Sequence, residues 1–363
     1  MKSTIMKRRC TGIVFVLLAA AWVEVSLGSD ATLRELAAPR GIYVGAAANA
    51  NHLASDAAYA KLLGEQYSLA TAENGCKFGP TEPGEGVFDY DSCDAVLNAT
   101  RNARMAFRGH NFVWGNNNPN WLLQKGSNGT ALKSAMLDHI AHVAKHYNDD
   151  ACCWDVVNEA ISDSNTGDVL KSNTWYPAVP NYVDVAFRAA RSAAGENVKL
   201  FINDYSVASS ESWSKGKSDR LYEYVKKLKL SGTPIDGVGL QLHVKTDYNA
   251  SGVAANLRRY HDLGLIVHMT EIDVSSKGSW TAEEEELQAQ VYAALLQICL
   301  DSAACKSFET WGFTDKYTWK GLEAHPLPFD ENLKPKKAFF ALADVLGGNK
   351  TWVKRYWMRV MRQ

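Results

Sequence analysis

The chain has 363 residues, 46% of them hydrophobic and 22% charged, with a formal net charge of −1, which is the composition of a globular enzyme with length enough for one large core. The near-neutral total hides an asymmetry, because residues 29–348 carry 30 basic against 39 acidic side chains, about −9 net. So acidic a body argues against a nucleic-acid partner.

At the N-terminus Lys2, Lys7, Arg8 and Arg9 precede an apolar run over 13–23 and the small residues Ser26 and Gly28. This pattern predicts a signal peptide over 1–28 and a secreted, extracellular protein. A membrane anchor is the competing reading, but Glu24 breaks the run short of the roughly 20 apolar residues that a span needs. No later stretch is long and apolar enough to cross a bilayer. The mature chain is expected to be a monomer.

Eight short apolar segments follow, over 42–47, 67–72, 105–113, 152–157, 199–202, 238–242, 266–270 and 308–311. Between them lie amphipathic stretches such as 132–147, 182–194, 218–230 and 283–300, whose apolar residues recur at helical spacing. Strand and helix in alternation point to a parallel sheet, and eight repeats close it, so 29–348 is expected to be a single-domain α/β protein, a (β/α)8 TIM barrel. An open doubly wound sheet is the alternative, but no Gly-x-Gly-x-x-Gly follows the first segment. The basic tail over 349–363, with Trp352, Tyr356 and Trp357, is expected to be solvated or processed.

Seven cysteines become six once Cys10 leaves with the signal, an even count suited to an oxidising compartment. Cys299 and Cys305 are close enough in sequence to bridge the end of a helix, and Cys76 with Cys93 is the second expected pair. Cys152 and Cys153, adjacent in an apolar run, are expected as buried free thiols. Zinc competes for these residues, but no Cys-x-x-Cys stands in the sequence, so no metal or cofactor is expected. Sequons at Asn98, Asn128, Asn249 and Asn349 are candidate glycosylation sites.

In barrels of this kind the chemistry sits where the strands end, and those ends are polar and aromatic here. The second offers Glu73, Asn74 and Lys77, the third His110 and Trp114, and the fourth Asn158 and Glu159. The fifth offers Asn203, Asp204 and Tyr205, the sixth Gln241 and His243, the seventh Glu271 and Asp273, and the eighth Trp311 and Asp315. Glu159 and Glu271 both end apolar segments. Glycosidic cleavage needs one carboxyl to protonate the leaving oxygen and another to attack or to activate water, so a facing pair is the minimum equipment. Two carboxyls held roughly 5 Å apart also titrate apart, one kept protonated by the charge of the other. His243 and Asp273 would support Glu271, since an imidazole oriented by a carboxylate can hold a nucleophile ionised. Trp114, Trp311 and Trp319 offer flat faces for sugar rings. A catalytic serine is not supported, because no Gly-x-Ser-x-Gly elbow is present.

From about Leu33 to Leu346 the chain resembles family-ten glycoside hydrolases, the endo-β-1,4-xylanases. The motifs are Gly109-His110-Asn111-Phe112-Val113-Trp114, Trp154-Asp155-Val156-Val157-Asn158-Glu159, Ile202-Asn203-Asp204-Tyr205, Gly239-Leu240-Gln241-Leu242-His243, Thr270-Glu271-Ile272-Asp273 and Trp311-Gly312-Phe313-Thr314-Asp315-Lys316-Tyr317. The resemblance implies a retaining enzyme acting on xylan or xylo-oligosaccharides, with Glu159 as acid/base, Glu271 as nucleophile, and His243 and Asp273 as its support. It implies sugar binding on the non-reducing side by Glu73, Asn74, Lys77, His110, Trp114, Asn158, Gln241, Trp311 and Trp319, and a Cys299–Cys305 disulfide. Tyr205 joins the substrate-binding candidates. Where the family often reads Glu-Asn-x-Met-Lys-Trp, this chain has Cys76 and Phe78, and its usual Trp-His-x-Gln is Trp114-Gly115-Asn116-Asn117. A carbohydrate-binding protein without turnover, or a barrel cellulase or mannanase, would be the rivals.

Overall fold

Eight parallel strands pair in sequence order and close into a barrel. They are β1 (Tyr43–Ala48), β2 (Leu69–Ala72), β3 (Ala106–Trp114), β4 (Ala151–Asn158), β5 (Lys199–Tyr205), β6 (Gly237–Lys245), β7 (Ile266–Ser275) and β8 (Cys305–Thr310). Closure is made by β8 against β1, with Tyr43 beside Ser307 and Ala46 beside Thr310. The computed structural model describes residues 31–209 and 216–362, so the expected signal peptide lies outside the described residues. Among them no helix is long and apolar enough to cross a membrane.

The principal helices on the outside are α1 (Ala57–Gln66), α2 (Asp91–Ala103), α3 (Gly129–His146), α4 (Tyr182–Ala194), α5 (Lys217–Leu230), α6 (Val253–Asp262), α7 (Ala282–Leu300) and α8 (Lys337–Leu346), followed by α9 (Thr351–Val360). Three of them, α1, α3 and α7, begin on a side-chain cap. The Asn128 side chain accepts the Ala131 N–H at the start of α3, and Thr281 caps α7 ahead of Glu283, Glu284 and Glu285, whose charges suit a helix N-terminus. In α4 the buried residues Tyr182, Val183, Ala186, Phe187, Ala190 and Ala194 form one stripe facing the barrel.

All eight apolar segments read from the sequence are strands, but β5, β6 and β7 run on to Tyr205, Lys245 and Ser275. Pairing continues through the polar ends, so the candidate residues there sit on rigid strand and not on loop. The tail differs more. Thr351–Val360 is a helix that buries Val353 and Tyr356 and contacts both α7 and α8, while its other face stays exposed. Its helical spacing of Trp352, Val353, Tyr356, Trp357 and Val360 supplies the stripe, and α7 supplies the surface. That cover, together with α8 and the barrel strands, buries α7 continuously from Gln288 to Cys299.

Both expected disulfides are present, Cys76–Cys93 and Cys299–Cys305, while Cys152 and Cys153 are free thiols, the second of them buried. The four sequon asparagines are exposed. Inside the barrel, directly below its mouth, lies an ionic layer that the apolar look of β3 conceals. Arg108 binds Asp155 at 3.1 and 2.5 Å and His268 at 2.8 Å, and Thr71 donates to Glu309 at 2.9 Å. A fully buried guanidinium survives there because its carboxylate neighbours, Asp155 and Glu309, surround it.

Candidate active site

The two glutamates reach the barrel mouth through irregular strand ends. On β7, Gln241 pairs with Thr270 but His243 pairs with Asp273, so β7 carries one residue more than β6 over this step. The same surplus appears against β8, where Met269 and Ile272 pair with Phe308 and Thr310. His268 and Thr270 point into the barrel, and by strict alternation Glu271 would point away. The bulge re-aims it. Glu271 takes φ of 55°, in the left-handed region that disfavours side chains, a cost of about 1–3 kcal/mol that surrounding structure must support. Glu159, at the end of β4, has the same conformation with φ of 54°. A register shift between Asp155 and Val157 lets Asn158 turn inward just before it.

Around Glu271 the partners are fully specified. Asn203 donates to Oε1 at 2.7 Å and the His243 Nε2 stands 3.1 Å from Oε2. The other imidazole nitrogen meets Asp273 at 2.7 Å, and Trp319 donates to the same Asp273 oxygen at 2.9 Å. Burial works against a charge on His243, but Asp273 and Glu271 outweigh it and push its pKa up to about 9. A ring biased in this way toward its doubly protonated form can donate to both carboxylates. Asn203 is itself held by Thr270, which donates to its Oδ1 at 2.7 Å. Gly239 leaves the room this needs, since a Cβ there would meet that oxygen at 2.2 Å.

Glu159 lives in a different setting. Trp114 donates to its Oε2 at 3.0 Å, while the amides of Asn158 and Gln241 lie 3.4 and 3.5 Å from Oε1. Burial, and then the charge of Glu271, push its pKa up from the usual carboxylate value. One carboxyl is thus biased toward the acid form and its neighbour is surrounded by donors. That difference in setting suits general-acid and nucleophilic duties.

Most of the other candidates gather on the same mouth. Asn49 donates to Glu73 at 3.1 Å, and Lys77 donates to Asn74 at 2.7 Å and lies over the Trp114 ring at 5.1 Å. His110 bonds Asp155 at 2.9 Å through Nδ1, and its ring meets Trp311 edge-on at 5.2 Å. Trp319 makes the same kind of contact with His243 at 5.0 Å and is 55% exposed, leaving a face open to a sugar. Tyr205 sits farther along, donating to Asp163 at 2.6 Å over the Lys217 ammonium. Two strand-end residues do not join the mouth. Asp315 is buried against Lys336 at 2.7 Å, and Asp204 is buried against Lys217 at 2.9 Å. Phe78, a departure from the family pattern, stacks on His139 in the core at 3.6 Å. Asn203 was visible as a strand-end residue but not as the link between the two glutamates. Its donors and acceptors are shared with Asn158, Glu271 and Thr270, which only the barrel brings together. Among the described residues no group of His, Cys, Asp and Glu could hold a metal ion.

Comparison with known proteins bears on this arrangement. The family model described as Glycosyl hydrolase family 10 matches residues 32–345. Endo-1,4-beta-xylanase B of Thermotoga neapolitana is 32% identical over 348 residues, covering 92% of this chain and 97% of the relative. Endo-1,4-beta-xylanase B of Neocallimastix patriciarum is 36% identical over 307 residues, covering 84% of this chain, which spans only 34% of that longer protein. Among solved structures, native xylanase 10B from Thermotoga maritima aligns with a TM-score of 0.82 and 34% identity, over 87% of this chain and 98% of the other. Xylanase 10B from Thermotoga petrophila, solved in complex with xylobiose, aligns with a TM-score of 0.82 and 33% identity, over 87% and 97%.

Proposed function

Because this chain belongs to glycosyl hydrolase family 10, we propose that it is a secreted endo-1,4-β-xylanase that cleaves internal linkages of xylan with retention of configuration. The observation that carries the proposal is the unequal setting of the two glutamates. Glu271 accepts from Asn203 and His243, whereas Glu159 has its pKa raised by burial and by the charge of Glu271. In the first step Glu271 attacks the anomeric carbon while Glu159 gives its proton to the leaving oxygen, and the glycosidic bond breaks. In the second step the Glu159 carboxylate takes a proton from water, which attacks the same carbon from the side the leaving group vacated, releasing Glu271. Two inversions restore the starting configuration.

Sugars on the non-reducing side would lie along Glu73, Asn74, Lys77, His110, Trp114, Asn158, Gln241, Trp311 and Trp319. The leaving part of the chain would then lie beyond the glutamates, along β5 and β6. The two disulfides and the exposed sequons support export to an oxidising compartment. Release of reducing ends from xylan, carboxymethylcellulose and mannan tests the substrate class. Xylan is expected to be cleaved at least about tenfold faster than cellulose, roughly 1.4 kcal/mol of discrimination, because xylose lacks the hydroxymethyl arm that Trp311 and Trp319 would crowd. Equal rates on cellulose or mannan would refute the substrate assignment, and no release from any of the three would refute catalysis.

A further inference from the structure

The tail helix α9 lies beyond the segment matched by the family model, which ends at residue 345, yet it is bonded to a loop that lines the cleft. Strand β6 carries Gln241 and His243 and continues into a loop over 246–252. Gln241 and His243, beside the glutamates, and Lys245, Asp247 and Tyr248, farther along, line a cleft of about 310 Å³, whose far part falls on the side proposed for the leaving part of the chain. Tyr356 of α9 is fully buried. Its hydroxyl accepts the Ala250 N–H at 2.7 Å and donates to the Tyr248 carbonyl at 3.0 Å. Three residues on, Arg359 donates to the Thr246 carbonyl at 3.2 Å. The helix is pinned in turn to the body by Trp352 on Asp344 at 2.9 Å and Arg355 on Glu286 at 2.7 Å.

We infer that α9 is a positioning element for the leaving-group side of the cleft, with Tyr356 fixing the Tyr248–Ala250 backbone and hence the residues that line it. On its other side the loop is tied by Asp247 to Lys277 at 2.8 Å, with both side chains about half or more exposed, and exposed pairs of this kind hold little. Thr246 adds a bond to Glu284 at 2.6 Å. Tyr356 thus adds one buried bond and one part-buried bond at Ala250 and Tyr248, where a lost partner would leave the buried Ala250 N–H unpaired. The inference rests on the xylanase assignment above.

Tyr356→Phe keeps the buried ring and removes only the hydroxyl. Its kinetics should be compared with those of the wild type on xylohexaose, which spans both sides of the glutamates, and on an aryl β-xylobioside, whose sugars fill only the non-reducing side. For xylohexaose KM is expected to rise about five- to tenfold with kcat changed by less than about twofold, while both constants for the aryl xylobioside stay within about twofold of wild type. Equal losses on the two substrates would mark a merely structural role and overturn the inference, as would unchanged constants on both. A wild-type enzyme that fails to cleave xylohexaose would instead overturn the xylanase assignment itself.

Discussion

Glu271→Ala is expected to abolish turnover on every glycoside, whatever the leaving group. Without the carboxylate no glycosyl-enzyme can form, and a better leaving group does not restore the missing nucleophile. The fall in kcat should be at least roughly 10⁴-fold, about 5 kcal/mol of lost transition-state stabilisation. The fold should survive, because the site holds Glu271 at a left-handed φ of 55° that alanine adopts no less readily, and among the described residues the side chain bonds only Asn203 and His243. The measurement is kcat on xylan and on an aryl xylobioside, with circular dichroism as the check on folding. Residual activity within about tenfold of wild type on either substrate would exclude Glu271 as nucleophile.

Glu159→Ala should behave differently. Its acid role matters most for a poor leaving group, so hydrolysis of xylan should fall by about 10²–10⁴-fold, while an aryl xyloside with a strongly activated phenol still forms the glycosyl-enzyme. Breakdown of that intermediate would lack its general base. Azide, which needs no base, should speed it and yield a glycosyl azide of retained configuration. The wild type should also lose activity at the alkaline end as Glu159 gives up its proton. Because burial and the Glu271 charge raise its pKa, that loss is expected above the ordinary carboxylate range, and Glu159→Ala should lack it on the activated substrate. If azide leaves the variant unchanged, or if the alkaline limb persists in it, Glu159 is not the acid/base.

The architecture was legible because each of its eight strands is a compact apolar segment between helical stripes. The two glutamates were legible because each ends such a segment in a distinctive motif. Their orientation was not. The bulge that turns Glu271 inward is a mismatch between β7 and both of its neighbours, and residue counts along one strand do not reveal it. Asn203 looked like one polar residue among several at the rim, since its link to Asn158 and Glu271 joins three strands far apart in sequence. Arg108 and His268 were hidden in runs that read as apolar, although they meet at 2.8 Å in the barrel interior. The tail was misjudged because its charges are prominent and its stripe of Val353 and Tyr356 has meaning only against α7, a helix whose outer face is apolar for that purpose.

The central claim, that Glu271 becomes covalently bonded to a xylosyl unit during turnover, is tested most directly by trapping that bond. A fluorine at C2 of the sugar slows both steps by destabilising the oxocarbenium-like transition states, and a reactive phenol leaving group restores the first. Incubating the wild type with an activated 2-deoxy-2-fluoro-β-xylobioside should inactivate it and add one fluoroxylobiosyl mass, located by peptide mass spectrometry to the segment containing Glu271. An enzyme that turns over xylan yet shows no adduct, or carries the adduct on Glu159, would contradict the roles assigned to the two glutamates.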